Sequence, residues 1–397
     1  MDITLNHTPI RTSRNYQIND ITLKKIKIPT DFSLKKSKIS YNTMSGKDYI
    51  LNIEKSDELE DEFEADEINH EVANFMTRPL TYGNGEFADK QINKECNFEK
   101  FVQINSIMSN EISFDFEIAE DEALIESIFI NAEENTNASV FAIYKGNGYH
   151  NGEIRINLKR GAQMKFFLIN LMADLQEVQN FIAIENRLEP NSKLDFTIID
   201  IGAQNSVSNY YTNLVGDRAE SNLNTIYLGR DDQIIDMNYI ADVRGKASKV
   251  NFEVQGALTD EAKKHFKGTI DFKSGCTKSI GAENEFCTLL SDKAKAISLP
   301  NLLCSEEDVE GAHSTAAGKP SNKELFYILS RGFDEKAAEK LLVKARFNFI
   351  LNKIKNENLR DLITTRIDHL IDCSAKKDCP HRRKDGKCSK WFFSFEK

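Results

Sequence analysis

From about residue 101 the chain settles into short runs that alternate apolar with polar residues or stay apolar throughout. SVFAIY, GEIRINL, KFFLINLM, NFIAIEN, KLDFTIIDIG, NTIYLG, KVNFEVQG and GTIDFKSG follow one another for two hundred residues. Their period of two and their bounding Gly, Asn and Asp residues predict β-strands joined by tight turns. The turns themselves recur. KRGAQMKF, EPNSKLDF, DRAESNLN, RGKASKVN and KSGCTKSI each place a small residue ahead of polar positions and a returning strand. Aligned on Ala162, Ser192, Ala219, Ala247 and Cys276, they are spaced by 30, 27, 28 and 29 residues. A recurrence of this length in an all-β stretch predicts stacked coils, because each coil must bury its apolar face on the next. A sandwich of hairpins would call for Asn-Gly-type two-residue turns at closer intervals, and few are present.

Past residue 320 the apolar period changes to 3.6. Ser321 followed by Glu324 is a capping-box start, and Gly332 is a natural helix stop. Ala338, Leu341, Leu342, Ala345 and Phe349 are expected on one face of a second helix, and Leu359, Leu362, Ile363, Ile367 and Leu370 on one face of a third. Ahead of the strands lie a polar, basic opening and the block EKSDELEDEFEADEINHE at 54–71, expected as a solvated helix or arm. The expected units are therefore a polar and acidic region at 1–100, a β-coil core at 101–318, a helical unit at 319–371 and a Cys-rich basic tail at 372–397.

Composition narrows the function classes. A chain of 397 residues with net charge −10 carries no global basic footprint for nucleic acid. No run of roughly 18 apolar residues is present to span a bilayer, and the opening lacks a charged-then-apolar leader pattern, so a cytoplasmic location is expected. Seven cysteines, an odd number scattered through the chain, read as reduced thiols and not as a disulfide framework.

Candidate chemistry gathers at two places. His313 stands among Ala312, Ser314, Thr315, Ala316 and Ala317, with no thiol or carboxylate beside it in sequence; by itself this is the setting of a structural histidine. The tail holds Cys373, Cys379, His381 and Cys388 between lysines and arginines. Three thiols and an imidazole suit zinc or an iron–sulfur cluster, and the cations favour thiolates. Their intervals fit no fixed metal motif, so a reduced tail without metal is the alternative. No Gly-rich loop ending in Lys-Ser/Thr occurs anywhere, so nucleotide hydrolysis has to come from a partner.

Residues 287–349 resemble the core signature of the SufB/SufD family, scaffold subunits of the SUF iron–sulfur cluster assembly machinery. The chain reads TLLSDKAKAISLPNLLCSEEDVEGAHSTAAG and then LFYILSRGFDEKAAEKLLVKARF, where SufD members carry DVKCSHGATVG and FYL.SRG. HFKGTIDFKSGCTKSIGAENE resembles the preceding coil, and LNHTPIRTSRNYQINDITL the opening of SufD-like members. The resemblance implies a right-handed parallel β-helix followed by helices, pairing of two such β-helices, and docking of the ABC-type ATPase SufC on the helical unit. It also implies a transient iron–sulfur cluster built at the paired face, with the functional histidine at His313. Cys287 and Cys304 are the accompanying thiol candidates; Arg331, Gly332, Phe333 and Phe347 are the candidate contacts for the ATPase. Departures are visible. Gly311 stands where SufD members have Cys, and Ala312 and Ser314 flank the histidine where SufB members have glutamates. The chain is closer to SufD while mixing both patterns, which admits either a SufB/SufD-type partner or a second copy of itself.

The leading expectation is a non-enzymatic scaffold for cluster assembly. A β-helix carbohydrate-active enzyme and a thiol or metal carrier working through the tail are the alternatives. The first would need acidic side chains along an outer face and gains nothing from the cysteines.

Overall fold

The computed structural model describes residues 1–10, 18–30, 32, 34, 38–43, 48–52, 70–107, 110–175 and 177–374. Within them the β-rich stretch forms two nine-stranded sheets facing each other. From β5 (Phe98–Ile104) and β6 (Asn110–Ile118) to β19 (Lys295–Cys304) and β20 (Val309–Gly318), successive strands alternate between the two sheets. Each strand pairs in parallel with the strand two further on, so each coil stacks on the one before it, as the turn recurrence predicts. At one end β3 (Lys38–Thr43) and β4 (Tyr49–Asn52) close the stack by pairing antiparallel with β6 and β5. At the other end β19 and β20 are edge strands.

Register shows which side chains face inward. Phe166 of β10 (Gln163–Asn170) lies beside Phe196 of β12 (Lys193–Asp200), with ring centroids 4.7 Å apart in a stacked arrangement. Burying each such ring contributes roughly 1.5–3 kcal/mol. The corners need one adjustment to the expected alignment. The corner position at the start of the returning strand is Thr136, Ala162, Ser192, Ala219, Ser248 and Ser279, all buried to 2% exposure or less. Thus Ser248 and Ser279, and not Ala247 and Cys276, continue the series of Ala162, Ser192 and Ala219. Ala247 takes the left-handed turn position at φ 53°, and Cys276 sits in the turn ahead of Ser279.

The unbroken apolar runs have a physical reason: their strands are covered on both faces. On the outer side, Phe167, Ile169, Ile199, Ile226 and Leu228 pack against the C-terminal helices. The C-terminal helices are α3 (Asn322–Leu329), α4 (Glu335–Leu351) and α5 (Glu357–Ser374), of which α4 and α5 supply that packing. Ser321 and Glu324 form the expected capping box, and Gly332 stops the chain at φ 91°. The face of α4 differs from expectation. Ala338, Val343, Phe347 and Ile350 are buried, whereas Leu341 and Phe349 are 44% and 63% exposed. The sheet selects the Val343–Phe347–Ile350 stripe and leaves much of the predicted one facing solvent.

The N-terminal hundred residues are more than a polar arm. β1 (Ile3–Leu5) pairs antiparallel with β2 (Ile21–Leu23), and α2 (Glu86–Glu95) follows α1 (His70–Thr77). Ile3, Leu5, Ala88 and Ile92 form a layer over Ala123, Ile125, Phe181 and Val207 on the outside of the odd-numbered sheet. Asn6 and Lys267 anchor it through Asp236, with Lys267 Nζ 2.7 Å from Oδ1. The acidic block at 54–69 lies outside the described residues.

Candidate functional site at the open end of the coil stack

Interior positions change character over the last coils. In β16 (Lys249–Leu258) they are Phe252, Val254 and Gly256; directly beside these in β18 (Ser279–Leu289) stand Glu283, Glu285 and Cys287. The next strand, β20, brings His313, Thr315 and Ala317 to the same columns. An apolar core thus gives way to acid, thiol and imidazole groups where the stack ends. On the facing sheet, β17 (Lys263–Phe272) supplies Lys264 and Gly268, and β19 supplies Ser298.

Glu285 is fully partnered. Lys264 Nζ donates to its Oε1 at 2.8 Å, and the Tyr227 hydroxyl donates to the same oxygen at 3.1 Å. Ser298 Oγ donates to Oε2 at 2.8 Å and accepts from Lys264 Nζ at 2.9 Å. The Lys264 and Glu285 side chains are wholly buried, so removing either one would strand its partner in a dry interior. The Tyr227 hydroxyl also hydrogen-bonds Cys287, and burial raises its own pKa well above the ordinary phenol value. Cys287 has no exposed surface; burial pushes its thiol up to about 11, opposed in part by Lys264. It is therefore a protonated thiol at neutral pH and not a surface nucleophile.

Glu283 is different. It is 1% exposed, its Oε1 has no hydrogen-bond partner among the described residues, and burial followed by the charge of Glu285 pushes it up to about 8. A Cβ built on Gly268 would fall 2.2 Å from its Oε2, so the glycine makes room for the carboxyl group. Gly256 does the same for Tyr227, whose ring carbon would lie 1.9 Å from an added Cβ. Because Glu285 and Cys287 hold the tyrosine tip, the ring has little freedom to retreat. Gly256→Ala is expected to destabilise the protein by about 1–3 kcal/mol in a urea melt, as overpacking of a filled core does.

The sequence candidates are thereby placed. His313 is exposed on the unpaired edge of β20, with Ala312, Ser314 and Ala316 also exposed around it. Cys304 is exposed at the end of β19, its thiol donating to the Glu306 carbonyl at 2.9 Å. Arg331, Gly332 and Phe333 are exposed between α3 and α4. Phe347 is 1% exposed in the packing of α4 on the sheet, so burial withdraws it from the candidate ATPase contacts. Cys379, His381 and Cys388 lie outside the described residues; Cys373 belongs to the last turn of α5, and its side chain is likewise outside them. Among the described residues no three His, Cys, Asp or Glu side chains are grouped to hold a metal ion.

Sequence reading missed Glu283, Glu285, Lys264 and Tyr227. The alternation in SIGAENEFCTL was available, but Ile280, Ala282 and Phe286 are its apolar members and point outward. Phe286 is there covered by Arg346 of α4, whose guanidinium carbon is 3.8 Å from the ring centroid.

Residues 116–346 match the family described as SUF system FeS cluster assembly, SufBD core domain. The chain is 25% identical to the iron-sulfur cluster assembly protein SufD of Bacillus subtilis over 181 residues, covering 46% of this chain and 41% of that protein. It is 24% identical to an iron-sulfur cluster assembly SufBD family protein of Mycobacterium bovis over 257 residues, covering 63% and 64%. A SufBD family protein of Pyrococcus horikoshii is 30% identical over 167 residues, covering 42% and 37%. The chain thus spans less than two thirds of the length of each of these relatives.

Proposed function

The chain belongs to the SufBD family of the SUF iron–sulfur cluster assembly system, and from that premise we propose that it is a scaffold subunit with no enzymatic activity of its own. The cluster is its cargo, assembled at the open end of the coil stack and passed on. Pairing occurs through β19 and β20, with a SufB/SufD-type subunit or a second copy of this chain. An ABC-type ATPase of the SufC kind docks on the helical unit and supplies the work of ATP hydrolysis.

One observation carries the reading: His313 lies within the family-matched segment, exposed on an unpaired edge strand at the end of the stack. Small neighbours let another backbone approach closely, and a neutral imidazole is a ligand for iron. Among the described residues no helix is long and apolar enough to cross a membrane, which accords with a soluble assembly factor.

The test is His313→Ala, co-expressed with a SufC-type ATPase and purified anaerobically. The variant is expected to lose most of the iron and acid-labile sulfide that the wild-type complex carries. Its melting temperature should be unchanged, since an exposed side chain contributes within about 0.5 kcal/mol. Wild-type cluster content, or a large fall in stability, would sink the assignment.

A further inference from the structure

We propose that the aromatic end of the C-terminal tail, Trp391 to Phe395, docks in a groove between the even-numbered sheet and the start of α5, on the flank of the coil stack far from His313. Neither an ATPase nor a cluster is required for this contact.

The groove forms where α5 begins. Phe141 and Ile143 of β8 (Asn137–Gly146) make its apolar floor together with Leu359 and Leu362 of the helix, around a cavity of 290 Å³. Its rim is polar. Ser113 and two carboxylates, Glu111 and Asp115, come from β6, and Asn356 and Asn358 come from the start of α5. Lys145 is the one cation in the lining, and its Nζ lies 2.5 Å from Asp115 Oδ1. Glu111 is exposed, so the rim keeps a net negative charge. A volume at the low end of ligand pockets suits one bulky side chain better than a cofactor.

The tail has the matching chemistry. Residues 375–397 lie outside the described ones, and their sequence ends in WFFSF at 391–395, with Lys390 before it and Lys397 near its end. Aromatic rings gain the most from an apolar floor, and an indole N–H also needs an acceptor, which Ser113, Asn356 or Asn358 offers. The flanking lysines meet the carboxylates of Glu111 and Asp115. The acidic block at 54–69 would be repelled by the same rim.

Reach is sufficient. From Leu362 to the helix end at Ser374 is about 18 Å along the axis. The 16 residues of 375–390 can extend to about 50 Å, so Trp391 can return along α5 to the groove. Docking there holds Cys388, three residues before Trp391, beside β6 at the closed end. Seven strand spacings separate β6 from β20 in the even-numbered sheet, about 33 Å. The tail's thiols are thereby kept away from the edge where His313 stands.

Trp391 is the chain's single tryptophan, so its fluorescence reports the contact in the full-length protein. In the wild type the indole is expected to emit at the short wavelength of a buried ring and to resist acrylamide quenching, whatever the protein concentration. Leu362→Asp puts a charge into the groove, and Glu111→Lys reverses the rim. Each is expected to move the emission toward that of free tryptophan and to restore quenching, while circular dichroism melts report the fold. Should Leu362→Asp fold poorly, Glu111→Lys carries the test, because its side chain is exposed. Wild-type emission like that of free tryptophan overturns the proposal. So does a buried signal that the folded variants keep, since the ring then docks elsewhere. A buried signal lost on dilution overturns it as well, by placing the tail on a second copy.

Discussion

Replacing Asp174 with Ala is expected to destabilise the protein by about 3–5 kcal/mol and to loosen the helical unit from the coil stack. Asp174 lies in the connection after β10, where Arg230 and Arg366 converge on it. Arg230 forms an ion pair with Oδ2, and Arg366 Nη2 lies 3.5 Å from Oδ1. Arg366 arrives from α5 and also donates to the Met172 carbonyl at 3.4 Å. At 1% exposure it is a guanidinium buried between helix and coil. Removing the carboxylate deprives two buried cations of the acid they share, leaving Asp231 at 3.7 Å from Arg230 Nε as a more distant counter-charge, and that weakened compensation is the source of the loss. Acid should have a related, milder effect. Burial raises the Asp174 pKa, but Arg230 and then Arg366 outweigh it and hold the group at about 2. A depressed folded-state pKa means that its stabilisation is complete above the unfolded value near 3.8 and disappears as pH falls through 2. The span corresponds to roughly 2 kcal/mol. Urea melts between pH 5 and pH 2 on wild type and Asp174→Asn would show it. An equal acid dependence in both proteins would contradict the assignment to Asp174.

The coil stack was legible because its cause is local and repeated. A buried small residue before each returning strand at Ala162, Ser192 and Ala219 is a corner that every coil must make. Legibility declined where a coil changes length, as at Cys276, since only pairing shows that Ser279 has taken over the corner. The helices were readable from capping chemistry at Ser321 and from the stop at Gly332. The packed face of α4 was not, because two apolar stripes compete and only the sheet chooses between them. The candidate site was half visible. His313 stood out by resemblance, whereas the sequence reading gave Glu283 no place. Its inward direction is set by register with Phe252 and His313, which is a non-local fact. Acid residues inside a β-stack contradict the simple pattern, and such local conflicts concentrate at functional places.

Phe326→Asp combined with Tyr327→Asp is expected to weaken docking of a SufC-type ATPase by at least about a hundredfold, roughly 2.7 kcal/mol. The argument begins from what α3 fails to bury. None of its residues is buried, while Phe326, Tyr327 and Leu329 are 74%, 60% and 40% exposed. Phe333 follows at 47%, and α4 adds Leu341 and Phe349, the residues the sheet left outside. Large aromatics are poor surface residues unless they meet a partner, and a few of them carry most of the energy of an interface. Arg331 lies with its guanidinium carbon 5.1 Å from the centre of the Tyr327 ring, placing a cation beside the apolar patch. Two carboxylates at 326 and 327 would be desolvated by any partner seated there, which adds a penalty to the lost packing. Because both side chains stand in water, the double variant should melt with the wild type. Phe347→Ala supplies the contrast. That ring is buried between α4 and the sheet, so its truncation should lower stability by about 3–5 kcal/mol while leaving the docking surface chemically intact. Titration calorimetry with the purified ATPase, beside melts of both variants, separates the two. Wild-type ATPase affinity in the Asp double variant would remove the helical unit's exposed face as the docking surface.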